Sequence, residues 1–296
     1  VHRLLRLFVG SDDPEVRALR PAADSEEAVR QRGSAAARDG ANGKMAARAA
    51  GGAGAGAGAA AEEAAAHGAR RVLAALEQVI QSNQYGLEPS IGKVFSQSGE
   101  FGRESIFEVN YTNARNYNWG NFPWDWQPES NIHIQLMGPR GDFYKKAPAD
   151  SLIGGWGFLP PRASLYQAFV ASGDVERRKN TVMSVEELRA AGGDWTEPNA
   201  YEFEGYFQRR YGTFLTQTST SGGDVGELNY GTNWRLIRYA DVLLMAAEAA
   251  YRSGNESKSR DYLNDVRNRS GLGDLNVSGN ALFGAIVNER RLELAF

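Results

Sequence analysis

Asn233-Trp234-Arg235-Leu236-Ile237-Arg238-Tyr239-Ala240-Asp241-Val242-Leu243-Leu244-Met245, continued by Ala246, Ala247, Ala249 and Ala250, is the stretch whose reading decides the fold. Its apolar residues recur at helical spacing and predict a helix from about Trp234 to Arg252, stopped by Ser253-Gly254-Asn255 with glycine at the cap position. A second helix is predicted from about Ser257 to Arg269, apolar at Tyr262, Leu263 and Val266 and ended by Ser270-Gly271. A third runs from about Asn280 to Phe296. Antiparallel helices joined by a short link, with alanines where the partner approaches, have the shape of a tetratricopeptide unit.

Working outward, Val72, Leu73, Leu76, Val79 and Ile80 form another apolar helical stripe, and residues 44–83 have the length of a second helical pair. Residues 104–112 alternate after Ile106, with Phe107, Val109 and Tyr111 against Glu108, Asn110 and Thr112, which predicts a half-buried strand. Residues 113–160 scatter Gly, Pro, Asn and Trp without a lasting period and read as ordered loops with short extended pieces. Leu165, Phe169 and Val170 suggest a short helix. The fold class expected is mainly α, a helical scaffold with loop-rich insertions and short β-strands.

The chain has 296 residues, enough for one large domain or two small ones. A formal charge of −3 offers no basic stripe, so nucleic acid is not the expected partner. The absence of cysteine removes disulfides, thiolate catalysis and Cys-ligated zinc. No apolar run reaches the ~18 residues of a membrane-spanning helix. From Arg30 to Arg71 there is no Val, Ile, Leu, Phe, Tyr or Trp, and residues 35–70 hold 18 Ala and 8 Gly, too little apolar area to offset ordering entropy. The chain opens at Val1, and residues 2–9 are too short and too charged for a signal-peptide core, so the natural start is expected to be missing.

Catalytic patterns fail. The three histidines, His2, His67 and His133, form no His-Glu-x-x-His, no Gly-x-Ser-x-Gly elbow occurs, and the Gly52–Gly58 run spells alternating glycines rather than a dinucleotide fingerprint. The carboxylate pairs Asp12-Asp13, Glu62-Glu63, Glu186-Glu187 and Glu202 with Glu204 read as solvated faces. Arg235, Arg238, Asp241, Glu248, Arg267, Glu289, Arg290 and Glu293 read as ion pairs that fix helices against one another, because several sit on a segment otherwise nearly all apolar. No catalytic residue, cofactor or metal site is expected.

The aromatic cluster carries the functional reading. Tyr117, Trp119, Phe122, Trp124 and Trp126 fall within ten residues, interleaved with Asn116, Asn118, Asn121, Asp125 and Gln127. Aromatic faces stack on the apolar face of a pyranose while amides and carboxylates bond its hydroxyls. The candidate ligand-binding residues are therefore Tyr117, Trp119, Phe122, Trp124, Trp126 and Gln127, with Phe143 and Tyr144 in second rank and Trp156 read as structural.

Asn233 to Met245, Ala247-Glu248-Ala249, Leu263-Asn264-Asp265-Val266-Arg267-Asn268-Arg269-Ser270-Gly271-Leu272 and Glu289-Arg290-Arg291-Leu292-Glu293-Leu294-Ala295-Phe296 closely resemble the C-terminal signature of the SusD/RagB family. Gly155-Trp156-Gly157-Phe158 with Pro161, Leu165, Phe169 and Gly173-Asp174 resembles that family's glycine-tryptophan-glycine segment, and Glu104 to Val109 its middle strand. The resemblance implies a single, partial SusD-like domain over residues 1–296. Residues 1–70 form an atypical N-terminal segment, 71–232 hold a helix, a strand and the ligand loops, and 233–296 the tetratricopeptide-like helices. It also implies a surface-exposed lipoprotein of the outer membrane in Bacteroidetes, held by a lipid anchor not present in this chain. Its partner would be a SusC-like TonB-dependent β-barrel, and its ligand an oligosaccharide or, as in RagB-like lids, a peptide. A soluble tetratricopeptide adaptor and a carbohydrate-active enzyme are the rival readings.

Overall fold

The structure, a computed structural model, describes residues 51–124, 128–220 and 225–296. In chain order the elements are α1 (Gly51–Gln81), α2 (Ile91–Val94), β1 (Ser105–Val109), α3 (Ile132–Met137), β2 (Tyr144–Lys145), α4 (Ala163–Ala171), α5 (Val175–Thr181) and β3 (Val182–Ser184). They continue as α6 (Val185–Ala190), β4 (Asp194–Trp195), β5 (Tyr206–Gln208), β6 (Trp234–Arg238), α7 (Tyr239–Arg252), α8 (Glu256–Arg269) and α9 (Gly279–Glu293). The strands pair two by two and antiparallel, β1 with β6, β2 with β4 and β3 with β5. The architecture is the expected one, mainly helical with short strands.

Helix α7 is nearly all apolar because it is covered on two sides. Ala240, Leu243, Leu244 and Ala247 pack against Leu263 and Val266 of α8 and Leu282 and Ile286 of α9. Val242, Ala246, Ala249 and Ala250 pack against Leu73 and Leu76 of α1. Alanine lets the neighbouring backbones come close, and the Ser259 hydroxyl uses that proximity to donate to the Ala247 carbonyl at 2.8 Å. The turn to α8 needs a left-handed residue, supplied by Gly254 at φ 85°, and the Asn255 side chain then caps α8 by accepting the Lys258 N–H.

Three expectations need correction. The helix predicted from Trp234 starts at Tyr239, since residues 234–238 form β6, paired from Val109↔Trp234 to Ser105↔Arg238. Register shifts between Ser105 and Phe107 and between Phe107 and Glu108 break the two-residue period of this pair. Buried Arg235 and Arg238 thus fall three apart, a spacing that imitates a helix. Residues 51–81 form one continuous 31-residue helix, so the pair expected over 44–83 has no turn within them; residues 44–50 lie outside the described residues. Glu248 does not tie one helix to another, because it pairs with Arg252 one turn along α7 at the surface.

Among the remaining charges, Asp241 meets Arg290 at 3.1 Å and Arg267 meets Glu289 at 3.2 Å, joining α7 and α8 to α9. The strongest set is fully enclosed. Glu293, at the end of α9, receives Arg238 of β6 at 2.9 Å, Arg177 of α5 at 3.1 Å and Arg269 of α8, while Glu104 shares the same Arg238 Nη1 (2.6 Å) and takes the other arm of Arg269 (3.2 Å). Arg177 also reaches Glu289 at 2.6 Å and pairs with Asp174, its own helix cap. Arg210 donates to the Glu293 carbonyl at 2.8 Å and to Thr181 Oγ1 at 2.8 Å. Burial alone would raise the Glu293 carboxyl, but Arg269, Arg238, Arg177 and Arg210 hold it well below the ordinary carboxylate range.

Removing one member of such a set leaves its partners charged and buried. Arg238→Met is predicted to lower stability by about 3–5 kcal/mol in urea denaturation, and wild-type stability in that variant would contradict the assignment. Because the folded Glu293 carboxyl titrates below its unfolded value of 4.5, its contribution is complete at higher pH and is lost as pH falls through the carboxylate range. The stability gap between the parent and Glu293→Gln should therefore be widest near neutrality and narrow as pH falls; a gap constant with pH would refute it.

Candidate functional site

The loop after β1 is fastened at its base by long-range hydrogen bonds. The Tyr111 N–H donates to Asn233 Oδ1 at 2.9 Å, and the Asn233 amide donates to Glu108 Oε2 at 2.9 Å. The Thr112 N–H donates to the Glu129 carbonyl at 2.7 Å, closing the loop on itself, and Arg115 Nε lies 2.7 Å from the Glu129 carboxylate across the opening. Arg115 holds that carboxyl below its ordinary range, although so exposed a pair contributes little to stability.

A second fastening comes from a segment about 110 positions away. Fully buried Asn229 accepts the Tyr117 N–H at 2.9 Å and donates to the carbonyls of Tyr117 (2.7 Å) and Val225 (2.8 Å). Between these anchors Asn116 takes a left-handed conformation at φ 56°, which asparagine tolerates. Asn118 Oδ1 accepts the Gly120 N–H at 2.8 Å and Asn121 Oδ1 accepts the Asn118 N–H at 2.6 Å, the side-chain-to-backbone bonding that makes asparagine a turn former. The oxygens of Asn118 and Asn121 therefore serve the loop's own turn rather than standing free for a ligand.

The rings on this loop divide into two kinds. Phe122 is buried, 7% exposed, and acts as a plug, with Tyr117 edge-on at 5.3 Å and Trp124 tilted against it at 4.6 Å. Trp119 and Trp124 stand 53% and 56% exposed, their rings nearly parallel at 11° with centroids 6.3 Å apart. Leaving such rings in water forgoes burial energy of roughly 2 kcal/mol each, and contiguous exposed aromatics mark binding surfaces. At the base of the loop a groove of about 290 Å³ is lined by Val109, Asn110, Tyr111, Thr112, Pro128 and Glu129. Trp126 and Gln127, the other two predicted site residues, lie outside the described residues.

The second-rank candidates belong to the core. Tyr144 is buried among Leu152, Met183, Leu188 and Phe207, its hydroxyl reaching the Leu152 carbonyl at 3.5 Å, and Phe143 packs edge-on against buried Trp195 at 5.6 Å. Their place on or beside β2 buries Tyr144, which is not available as a ligand contact, and leaves Phe143 half-buried against the core. Among residues that sequence reasoning missed, Asn229 and Val225 hold the loop from far along the chain, where no local pattern reports them. No group of three or more His, Cys, Asp or Glu side chains that could hold a metal ion occurs among the described residues, and no described helix is long and apolar enough to cross a membrane.

Residues 165–296 match the SusD family model. A 75-residue stretch, 22% of this chain, is 41% identical to the SusD-like protein P2 of Formosa agariphila, covering 15% of that protein. Among solved structures, a laminarin-binding SusD-like protein is 30% identical with a TM-score of 0.64, over 79% of this chain and 52% of its own. The surface glycan-binding protein A of Bacteroides thetaiotaomicron in complex with laminarihexaose is 27% identical with a TM-score of 0.60, over 79% of this chain and 50% of its own. The chain thus spans about half the length of these solved relatives. The C-terminal part of the chain thus matches the SusD family model, and most of its length shares the fold of these solved SusD-like proteins.

Proposed function

We propose that the chain is the glycan-capturing part of a surface-exposed SusD-like lipoprotein, which holds an oligosaccharide without cleaving it and passes it to a SusC-type TonB-dependent β-barrel in the outer membrane. The observation that carries this reading is the pair of exposed, nearly parallel indoles of Trp119 and Trp124. An indole offers a flat apolar face to the C–H face of a pyranose, and two aligned indoles suit neighbouring units of one chain. Asn110 and Glu129, exposed in the groove at the loop's base, supply polar groups for hydroxyls. Phe122 packs against Trp124 and Tyr117 against Phe122, and the sequence adds Trp126 and Gln127 to the proposed contacts. Two relatives whose names mention laminarin or laminarihexaose support the choice of β-glucan as the first probe. Delivery to a barrel and attachment to the outer membrane rest on the family alone.

The test is calorimetric titration of the full chain with laminarihexaose, cellohexaose, maltohexaose and xylohexaose, each followed by chromatography of the sugar. The parent is predicted to bind at least one and return it intact. Replacing Trp119 and Trp124 together with alanine should weaken that binding about 5- to 100-fold, the combined worth of two ring contacts. Affinity unchanged in the double variant, or a parent that binds peptides and none of the sugars, would overturn the proposal.

A further inference from the structure

A separate cleft of about 630 Å³ is bounded by Arg140, Asp142, Trp156, Phe158 and Glu227. Its floor is bare backbone. A Cβ on Gly154 would stand 2.6 Å from Gly141 Cα, and one on Gly155 would stand 2.6 Å from Gly138 Cα, so the two strands of chain lie in direct contact with no side chain between them. The Gly141 N–H donates to the Gly155 carbonyl at 2.8 Å and the Trp156 N–H to the Gln135 carbonyl at 2.9 Å, which fixes that floor. Above it Trp156 is half-buried and Phe158 is 57% exposed. Arg140 Nε holds Asp142 Oδ2 at 2.7 Å and Nη1 reaches the Trp156 carbonyl at 3.4 Å, so a planar, partly solvated polar pair lies beside the indole.

This cleft and the indole loop are joined through one short segment. Val225 donates its N–H to the Tyr117 carbonyl at 3.1 Å and Asn229 clamps the same residue, while Glu227, in the turn Gly226–Leu228 between them, lines the cleft. We propose that the cleft walled by Trp156 and Phe158 is a second saccharide subsite, which takes further units of an extended, neutral oligosaccharide held at Trp119 and Trp124. Two aromatic rings, an Arg–Asp pair and a carboxylate over a backbone floor form the combination that recognises a polar ring with apolar faces. One arginine against two carboxylates, Asp142 and Glu227, selects against sugars bearing carboxylate or sulfate groups. The inference rests on the glycan-binding reading above and extends it from one contact surface to two.

The experiment titrates the full chain with laminaribiose, which on this proposal occupies the indole pair alone, and with laminarihexaose, or with the corresponding two lengths of whichever linkage the parent binds. Phe158→Ala and Glu227→Gln alter partly or largely exposed side chains and keep the fold. Each is predicted to weaken the hexasaccharide about 2- to 10-fold and to leave the disaccharide unchanged, whereas the Trp119/Trp124 double variant weakens both. Hexasaccharide affinity equal to the parent in both variants overturns the second subsite while the first stands. A parent that binds no oligosaccharide overturns both.

Discussion

Everything else in this chain hangs on the enclosed set of opposite charges around Glu293. Three arginines, Arg177, Arg238 and Arg269, meet four carboxylates, Asp174, Glu104, Glu289 and Glu293, and a fourth, Arg210, donates to the Glu293 backbone carbonyl, where almost no side-chain atom reaches water. Desolvating such groups costs several kcal/mol per ion, recovered only when each finds its partners in good geometry. The elements that carry them, α5, β6, α8, α9 and the residue preceding β1, are therefore held in one arrangement rather than several. The Phe95 ring fills the space beside the set, with the guanidinium groups of Arg210, Arg238 and Arg235 at 4.8, 5.3 and 5.8 Å from its centroid. Tyr211 stands edge-on to Phe95 at 5.0 Å and stacks on Trp234 at 4.5 Å, extending the packed column toward the surface.

That rigid frame explains how a loop without regular structure presents two rings in a defined relation. Asn233, next to β6, and Asn229, a few residues earlier, bond the backbone at Tyr111 and Tyr117. The segment leading into the charge knot is thus the same one that anchors the indole loop. Binding groups on loops are useful when a scaffold removes the entropy of placing them, and the two buried asparagines do this here. The loop's own asparagines complete the turn, so the exposed rings are set before any ligand arrives.

The helical third of the chain was legible from its spacing because α7, α8 and α9 bury one another and keep the helical period. Strand β6 was not, since irregular pairing with β1 buries Arg235 and Arg238 at an interval that also fits a helix. Helices α5 and α6 escaped notice at seven and six residues, and α5 hides a fully buried arginine that no hydrophobic pattern marks. The capping box from Ser184 to Glu187 was visible in principle, but the Glu186-Glu187 pair suggested only a solvated face. For the proposed site, composition singled out the aromatic loop and could not sort its rings. Nothing local distinguishes Phe122, a plug, from Trp119, an exposed face; the difference arises where the rest of the fold closes on the loop. Tyr144 was misjudged for the same reason, its burial being decided by β4 and β5 far downstream.

The central claim is that the exposed indoles, and not the buried ones, meet the sugar. Hydroxyl-radical footprinting with mass-spectrometric readout, with and without a bound hexasaccharide, tests it most directly. The account predicts that Trp119 and Trp124 are oxidised readily in the free protein and protected on binding, while Trp195, buried in the core, stays unreactive in both states. Full oxidation of Trp119 and Trp124 in the saturated complex would contradict it.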